Sequence, residues 1–152
     1  MTDLFPIHAS VVAVFAAILG LALVSDIESL RIPNRYCAAL VLLYPAHLFS
    51  AGTSVDWPGA LLVAVAVFLA GLVPFSRCWM GGGDVKLMAA GALWLGLGSA
   101  WTFLAGTALA GGVLAVGMVT WLSVAGRGRT RPSLPYGVAI AAGGVLGTLA
   151  AL

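Results

Sequence analysis

Six apolar segments follow one another along the chain, and only short polar connections separate them. They are roughly 7–25, 36–51, 58–75, 85–97, 100–124 and 134–152. A helix needs about 20 apolar residues to cross the hydrocarbon core of a bilayer. Hydrophobic residues make up 62% of the chain and charged residues only 8%, whereas soluble domains carry about 25% charged residues. The sequence therefore predicts an all-α, polytopic membrane protein with six spans, forming a single domain over residues 1–152.

The fourth apolar segment, 85–97, is short for a complete crossing. About 13 helical residues extend over ~20 Å, whereas the hydrocarbon core is ~30 Å thick. Either the bilayer thins beside this segment or the preceding loop enters the membrane. The boundary with the fifth segment falls at residues 96–99, and a five-span arrangement remains an alternative.

The basic residues predict the orientation in the membrane, because they all fall in alternate connections. They are Arg31, Arg35, Arg77, Lys86, Arg127, Arg129 and Arg131. Asp3 and Asp56 fall on the opposite side. Connections rich in Lys and Arg remain in the cytoplasm. We therefore expect both termini outside, and Asp26 and Asp84 both at the cytoplasmic edge.

Several classes of function are excluded by what the chain lacks. Seven scattered Lys and Arg residues are too few for nucleic-acid binding. Cys37 and Cys78 alone cannot build a four-ligand zinc site. His8 and His47 fall near the outer ends of their segments, far from both aspartates. We therefore expect no metal centre, no Ser/His/Asp triad and no cofactor.

Two carboxylates lie at junctions between apolar segments, beside residues that loosen the backbone. Asp84 follows Gly81-Gly82-Gly83, and Asp26 ends the first apolar segment ahead of Ile32-Pro33-Asn34. Glycines before Asp84 permit positive φ and close approach of an extended substrate backbone. Alternatively, Asp84 is a helix N-cap and Asp26 a plain interfacial charge.

A pair of carboxylates supports peptide hydrolysis if the two approach closely. One carboxylate then acts as the base that activates water, and the other, holding a shared proton, acts as the acid for the leaving amine. Together Asp26 and Asp84 therefore form a candidate catalytic dyad.

The pattern Asp-x5-Ile-Pro-Asn, followed far downstream by Gly-x-Gly-Asp-Val-Lys, resembles the prepilin peptidases, which are membrane-embedded aspartyl proteases. Leu134-Pro135-Tyr136 resembles the last patch of that family. The resemblance implies a multi-pass protein of the bacterial inner membrane with Asp26 and Asp84 catalytic at the cytoplasmic face. The implied substrate is the precursor of a type IV pilin-like subunit, with a basic leader before an apolar helix that lies in the bilayer. Residues implied to bind substrate or support the site are Gly81, Gly82, Gly83, Lys86, Glu28, Asn34, Pro135 and Tyr136. Lys86 would either orient a carboxylate or snorkel to the interface.

The sequence departs from larger members of that family, which carry a cytoplasmic insert with paired cysteines and also N-methylate the new terminus. Here the first connection has only about ten residues by the span limits above. A peptidase without methyltransferase activity is expected, similar to the branch that serves tight-adherence (Flp) pili. The alternatives are an ion- or proton-coupled carrier, whose ionisable groups would lie near the midplane, and a catalytically inactive pilus-assembly factor.

Glycines in the last two segments predict close contacts between helices. They are Gly106, Gly111, Gly112, Gly117, Gly143 and Gly147. These contacts either pack spans within one chain or join two chains in a homodimer.

Overall fold

A bundle of apolar helices makes up residues 5–29, 31–51, 55–124 and 136–150, the part of the chain that the structure, a computed structural model, describes. The helices are α1 (Phe5–Ser29), α2 (Asn34–Ala51), α3 (Trp57–Ser76), α4 (Gly82–Val124) and α5 (Tyr136–Ala150). The prediction of an all-α protein is confirmed. Within the described ranges, three stretches are long and apolar enough to cross a membrane: Ile7–Ser29, Trp57–Ser76 and Gly82–Trp121. The number of crossings and the side of the termini remain predictions.

Helix α1 continues past the predicted boundary and ends at Ser29. The Ser29 hydroxyl donates to the Ser25 carbonyl at 2.7 Å, and the Ser25 hydroxyl donates to the carbonyl of Arg31 at 3.1 Å. These bonds hold the chain where it leaves the helix. Asp26 therefore lies inside the last turn of α1, not after its end.

Helix α3 has well-defined ends. The Asp56 carboxylate accepts a hydrogen bond from the Gly59 N–H at 3.1 Å and caps the first turn, which stabilises a helix by about 1 kcal/mol. At the other end, the N–H groups of Cys78 and Trp79 bond to the carbonyls of Phe75 and Pro74, both at 2.9 Å. This pattern is a Schellman motif, with Cys78 in the left-handed region at φ 56°. The turn directs the chain into the Gly81–Asp84 segment.

Helix α4 is broken at Gly96, which has φ 66° and ψ −177°. Glycine adopts this left-handed conformation without steric penalty. The break divides α4 into helical segments 82–95 and 97–124, and it falls within the boundary that the sequence predicts at 96–99. Between these two segments there is a sharp change of direction but no loop.

The core lies where α4 packs against the other helices. Helix α4 contacts α2, α3 and α5, and α1 contacts α2 and α5. The most deeply buried large side chains are Phe103, Leu40, Leu87, Ile140 and Val85. A Cβ on Gly106 would lie 3.1 Å from the Cα of Gly143, so α4 and α5 meet backbone to backbone. For these two glycines, packing within one chain is the correct alternative.

The outer surface of the bundle is apolar. Val124, Phe49, Leu42 and Trp101 are 77–89% exposed. Contiguous apolar patches of this kind are rare on soluble monomers. The surface is that of a protein solvated by lipid.

Candidate active site

Asp26 is held by a residue at the far end of the chain. Its side chain is only 4% exposed. The N–H of Gly137, in the first turn of α5, donates to Asp26 Oδ2 at 2.7 Å. A backbone donor to a buried carboxylate is a strong, charge-assisted hydrogen bond. It fixes the Asp26 side chain between α1 and α5.

Gly137 has to be a glycine because the two helices approach so closely here. A Cβ on Gly137 would lie 2.8 Å from Asp26 Oδ2 and 3.1 Å from its Cγ. The same residue thus provides the hydrogen bond and the room for the carboxylate. The sequence-based prediction missed Gly137. Its only signal was the position directly after the Leu134-Pro135-Tyr136 patch.

Asp84 lies in the first turn of α4 and is 8% exposed. Its Oδ2 accepts a hydrogen bond from the Gly81 N–H at 3.1 Å. Since α4 begins at Gly82, Asp84 is the third helical residue. Its side chain bonds to the N–H of Gly81, the residue just before the helix, which is one of the two hydrogen bonds of a capping box. The alternative in which Asp84 itself is the N-cap is therefore wrong, although its carboxylate does stabilise the helix start.

The two carboxylates lie at the same end of the bundle. The last turn of α1 carries Asp26 and the first turn of α4 carries Asp84. Gly83, next to Asp84, packs against Ile32 of the connection that follows Asp26. Both are buried in a bundle that is otherwise apolar, where ionisable side chains are costly and usually functional.

The glycines before Asp84 also have a packing role. Within the described ranges, Gly96 is the glycine with positive φ, so Gly81, Gly82 and Gly83 do not use the positive φ that glycine permits; close approach of a substrate backbone there stays a prediction. A Cβ on Gly83 would lie 2.8 Å from the Ile32 carbonyl oxygen, and one on Gly82 would lie 3.1 Å from the ring of Phe75. These glycines let the start of α4 pack directly against the α1–α2 connection and the end of α3.

Lys86, two residues beyond Asp84, forms a polar contact with Asn34. The Lys86 ammonium donates to Asn34 Oδ1 at 2.9 Å. Both side chains are exposed. This bond joins the starts of α2 and α4, and orientation of a carboxylate by Lys86 stays a prediction. The Cys37 thiol reinforces this join, since Sγ lies 3.8 Å from the Gly83 carbonyl as a donor.

The structure does not bring all predicted residues to the site. Glu28 is exposed. It lies two residues after Asp26, about 200° around α1, and therefore on nearly the opposite face of that helix. Tyr136 is half-buried, and its ring faces Gly111 of α4. Pro135 lies outside the described residues. The rings of His8 and His47 lie close together at a tilt of 34°, with centroids 5.3 Å apart. Eighteen residues of α1 separate His8 from Asp26, which corresponds to about 27 Å.

The chemistry available at this end of the bundle is that of two carboxylates with backbone partners. No cluster of three or more His, Cys, Asp and Glu side chains suited to a metal ion occurs in the described ranges. For both aspartates the hydrogen bonds above engage Oδ2. Such a pair can bind and activate one water molecule.

Comparison with known proteins assigns the chain to a family. The profile of the type IV leader peptidase family matches residues 13–116, a stretch that contains both Asp26 and Asp84. The prepilin leader peptidase/N-methyltransferase of Bacillus subtilis (strain 168) is 35% identical over 153 residues, which cover 97% of this chain and 56% of that protein. The chain thus spans about half the length of that curated relative. No solved structure is significantly similar. The family match and this relative confirm the resemblance on which the sequence-based prediction rested: the chain belongs to the type IV leader peptidase family.

Proposed function

We propose that the protein is a prepilin leader peptidase that cleaves by an aspartyl mechanism at Asp26 and Asp84. The observation that carries the proposal is the pair of buried carboxylates at one end of an apolar bundle, each with a backbone N–H donor. Family membership supports proteolysis as the reaction and a prepilin as the substrate.

The geometry suggests how the two aspartates act as base and acid. The Gly137 and Gly81 N–H groups bond to Oδ2 of Asp26 and of Asp84 respectively, so these bonds do not engage Oδ1 of either carboxylate. One aspartate removes a proton from the water that attacks the scissile carbonyl. The other, protonated, supplies the proton that the departing amine needs. The backbone donors keep both side chains oriented, so little reorganisation is needed during the reaction.

Cleavage at the cytoplasmic face of the bacterial inner membrane follows from charge placement. Arg31 and Arg77 are exposed in connections between helices, and Arg35 is exposed in the first turn of α2. Basic residues at such positions favour the cytoplasm. A prepilin whose basic leader remains inside would bring its leader junction to the same level. Both termini of the chain then face outward.

We further propose that this form cleaves without methylating. Helix α1 ends at Ser29 and α2 begins at Asn34, which leaves a connection of residues 30–33. This connection is shorter than predicted and has no room for a cofactor-binding insert. The compact form is the one expected of the peptidases that serve tight-adherence (Flp) pili.

The dyad can be tested with isosteric variants. Asp26→Asn and Asp84→Asn should each abolish cleavage of a co-expressed prepilin, read as loss of the size shift on a gel, because an amide can act neither as base nor as acid. The matched control is Asp56→Asn. Asp56 caps α3 far from the dyad, and asparagine caps as well as aspartate does. Substantial cleavage by either Asp26→Asn or Asp84→Asn, with the protein present in the membrane, would refute the proposed mechanism.

A further inference from the structure

An apolar cleft lies between α1, α4 and α5. Its volume is about 410 Å³. Its walls are Val12, Phe15, Ala16, Leu19, Gly20, Leu23, Leu87, Gly91, Leu95, Phe103, Ile140, Ala141, Gly144 and Val145. Val12 and Val145 on its edges are 41% and 59% exposed, so the cleft opens towards the outside of the bundle.

All three walls of the cleft lead to the proposed active site. The α1 wall ends at Leu23, three residues before Asp26. The α4 wall ends at Leu87, three residues after Asp84, and the α5 wall at Ile140, three residues after Gly137. Residues three apart are neighbours on one face of a helix. The cleft therefore runs along the bundle and ends about one helical turn from the two carboxylates.

Glycines on opposite walls keep the cleft open. A Cβ on Gly20 of α1 or on Gly144 of α5 would have no other atom within 4 Å. Unlike Gly83 and Gly137, these glycines are not required by packing within the protein. Small residues facing open space let the backbone of another helix approach closely.

We propose that this cleft binds the apolar helix of the substrate and delivers the residues preceding that helix to Asp26 and Asp84. The inference rests on the proposed function and specifies which surface of the protein recognises the substrate. The α1 wall extends from Val12 to Leu23, or about 17 Å, which corresponds to three turns of a bound helix. A volume of about 410 Å³ over that length is well below what a helix of about 10–12 Å diameter fills, so the cleft holds one face of the helix and leaves the other in lipid.

The chemistry of the cleft selects a helix over other occupants. Its lining side chains are all apolar, so a strand bound there would leave its backbone N–H and C=O groups without partners in the membrane. A phospholipid would place its phosphate against the carboxylates of Asp26 and Asp84, where like charges repel. An apolar helix that continues into an extended peptide at the dyad meets neither penalty.

A second cleft differs from the first in having polar residues in its lining. It lies between α2, α3 and α4, has a volume of about 670 Å³, and its polar lining residues include Lys86 and Asn34. The Lys86 ammonium can bind a lipid phosphate, and the α4 wall of this second cleft bears no carboxylate. This second cleft therefore serves as the internal comparison for the test.

The test fills the first cleft without disturbing the enzyme. Gly20→Leu and Gly144→Leu should each lower kcat/KM at least tenfold on a membrane-inserted prepilin, mainly through KM. Both should stay within twofold of the parent on a short soluble peptide that spans the leader junction and lacks the helix. The matched controls are Gly112→Leu and Gly117→Leu, whose Cβ positions are equally open but lie outside the cleft. They should cleave both substrates normally.

Cross-linking locates the bound helix independently of turnover. In the Asp84→Asn background, a photoreactive residue at Leu19 or Val145 should cross-link to the apolar helix of the prepilin, and one at Val41 or Val65 in the second cleft should not. Normal processing by both leucine variants, or cross-links confined to the second cleft, would overturn the inference and leave the peptidase assignment intact. A parent enzyme that leaves the prepilin uncut would instead overturn the proposed function.

Discussion

Replacing Gly137 by alanine adds one methyl group at the most constrained point of the site. The new Cβ would lie 2.8 Å from Asp26 Oδ2 and 3.0 Å from Asp26 Cβ. Carbon and oxygen atoms do not pack at these distances, so the carboxylate must turn away and release the Gly137 N–H. Nothing in the Gly137 backbone itself forbids alanine, because its φ is not in the left-handed region.

The expected effect follows from the lost bond. A hydrogen bond to a charged group contributes about 1.5–3 kcal/mol, and an extra methyl in a packed site costs about 1–3 kcal/mol. A displacement of Asp26 that removes about 1.5–3 kcal/mol of transition-state stabilisation lowers kcat/KM roughly 10- to 100-fold. Unfolding should become easier by a similar free energy.

The change in kcat/KM is measured by cleavage of purified prepilin in detergent micelles. The change in the free energy of unfolding is measured with a thiol-reactive dye, because the buried Cys37 becomes reactive on unfolding. The exposed Cys78 is first removed as Cys78→Ser. The control is Gly112→Ala, where the methyl group meets nothing within 4 Å and alanine favours the helix. If Gly137→Ala cleaves prepilin as fast as Gly112→Ala does, the Asp26–Gly137 contact has no role in catalysis.

Three further predictions concern the rest of the molecule. Cys78→Gly should raise the free energy of unfolding by up to about 1 kcal/mol, because Cys78 occupies the left-handed region; Cys78→Ala should give no gain, and an equal gain would show that the backbone is not the cause. Purified enzyme with prepilin and S-adenosylmethionine should release a product without the mass of an added methyl group, since residues 30–33 leave no room for an insert; a methylated product would contradict this. A tag on either terminus should be accessible from outside intact spheroplasts, whereas Cys78 should react with an impermeant thiol reagent only after lysis. The opposite result would show that the orientation in the membrane is the reverse of the proposed one.

Local patterns in the sequence predict more of the fold than of the site. The break at Gly96 could be anticipated because an apolar segment too short to cross a bilayer meets a glycine-rich boundary there. The end of α1 was placed too early because Ser25 and Asp26 suggest a junction, whereas the two serine hydroxyls extend the helix to Ser29. Local patterns cannot show which helices become neighbours. Gly137 was therefore missed as the partner of Asp26, and Asn34 as the partner of Lys86, 52 residues away.

The long separation between Asp26 and Gly137 also has a consequence for biogenesis. The two residues are 111 positions apart in the chain. At a synthesis rate of about 5–20 residues per second, roughly 6–20 seconds pass between the appearance of the first aspartate and that of its partner. Asp84 appears about halfway through that interval, so a nascent chain carries both carboxylates before the donor that orients Asp26 exists. Under the proposed mechanism, full activity therefore requires insertion of the last helix, α5.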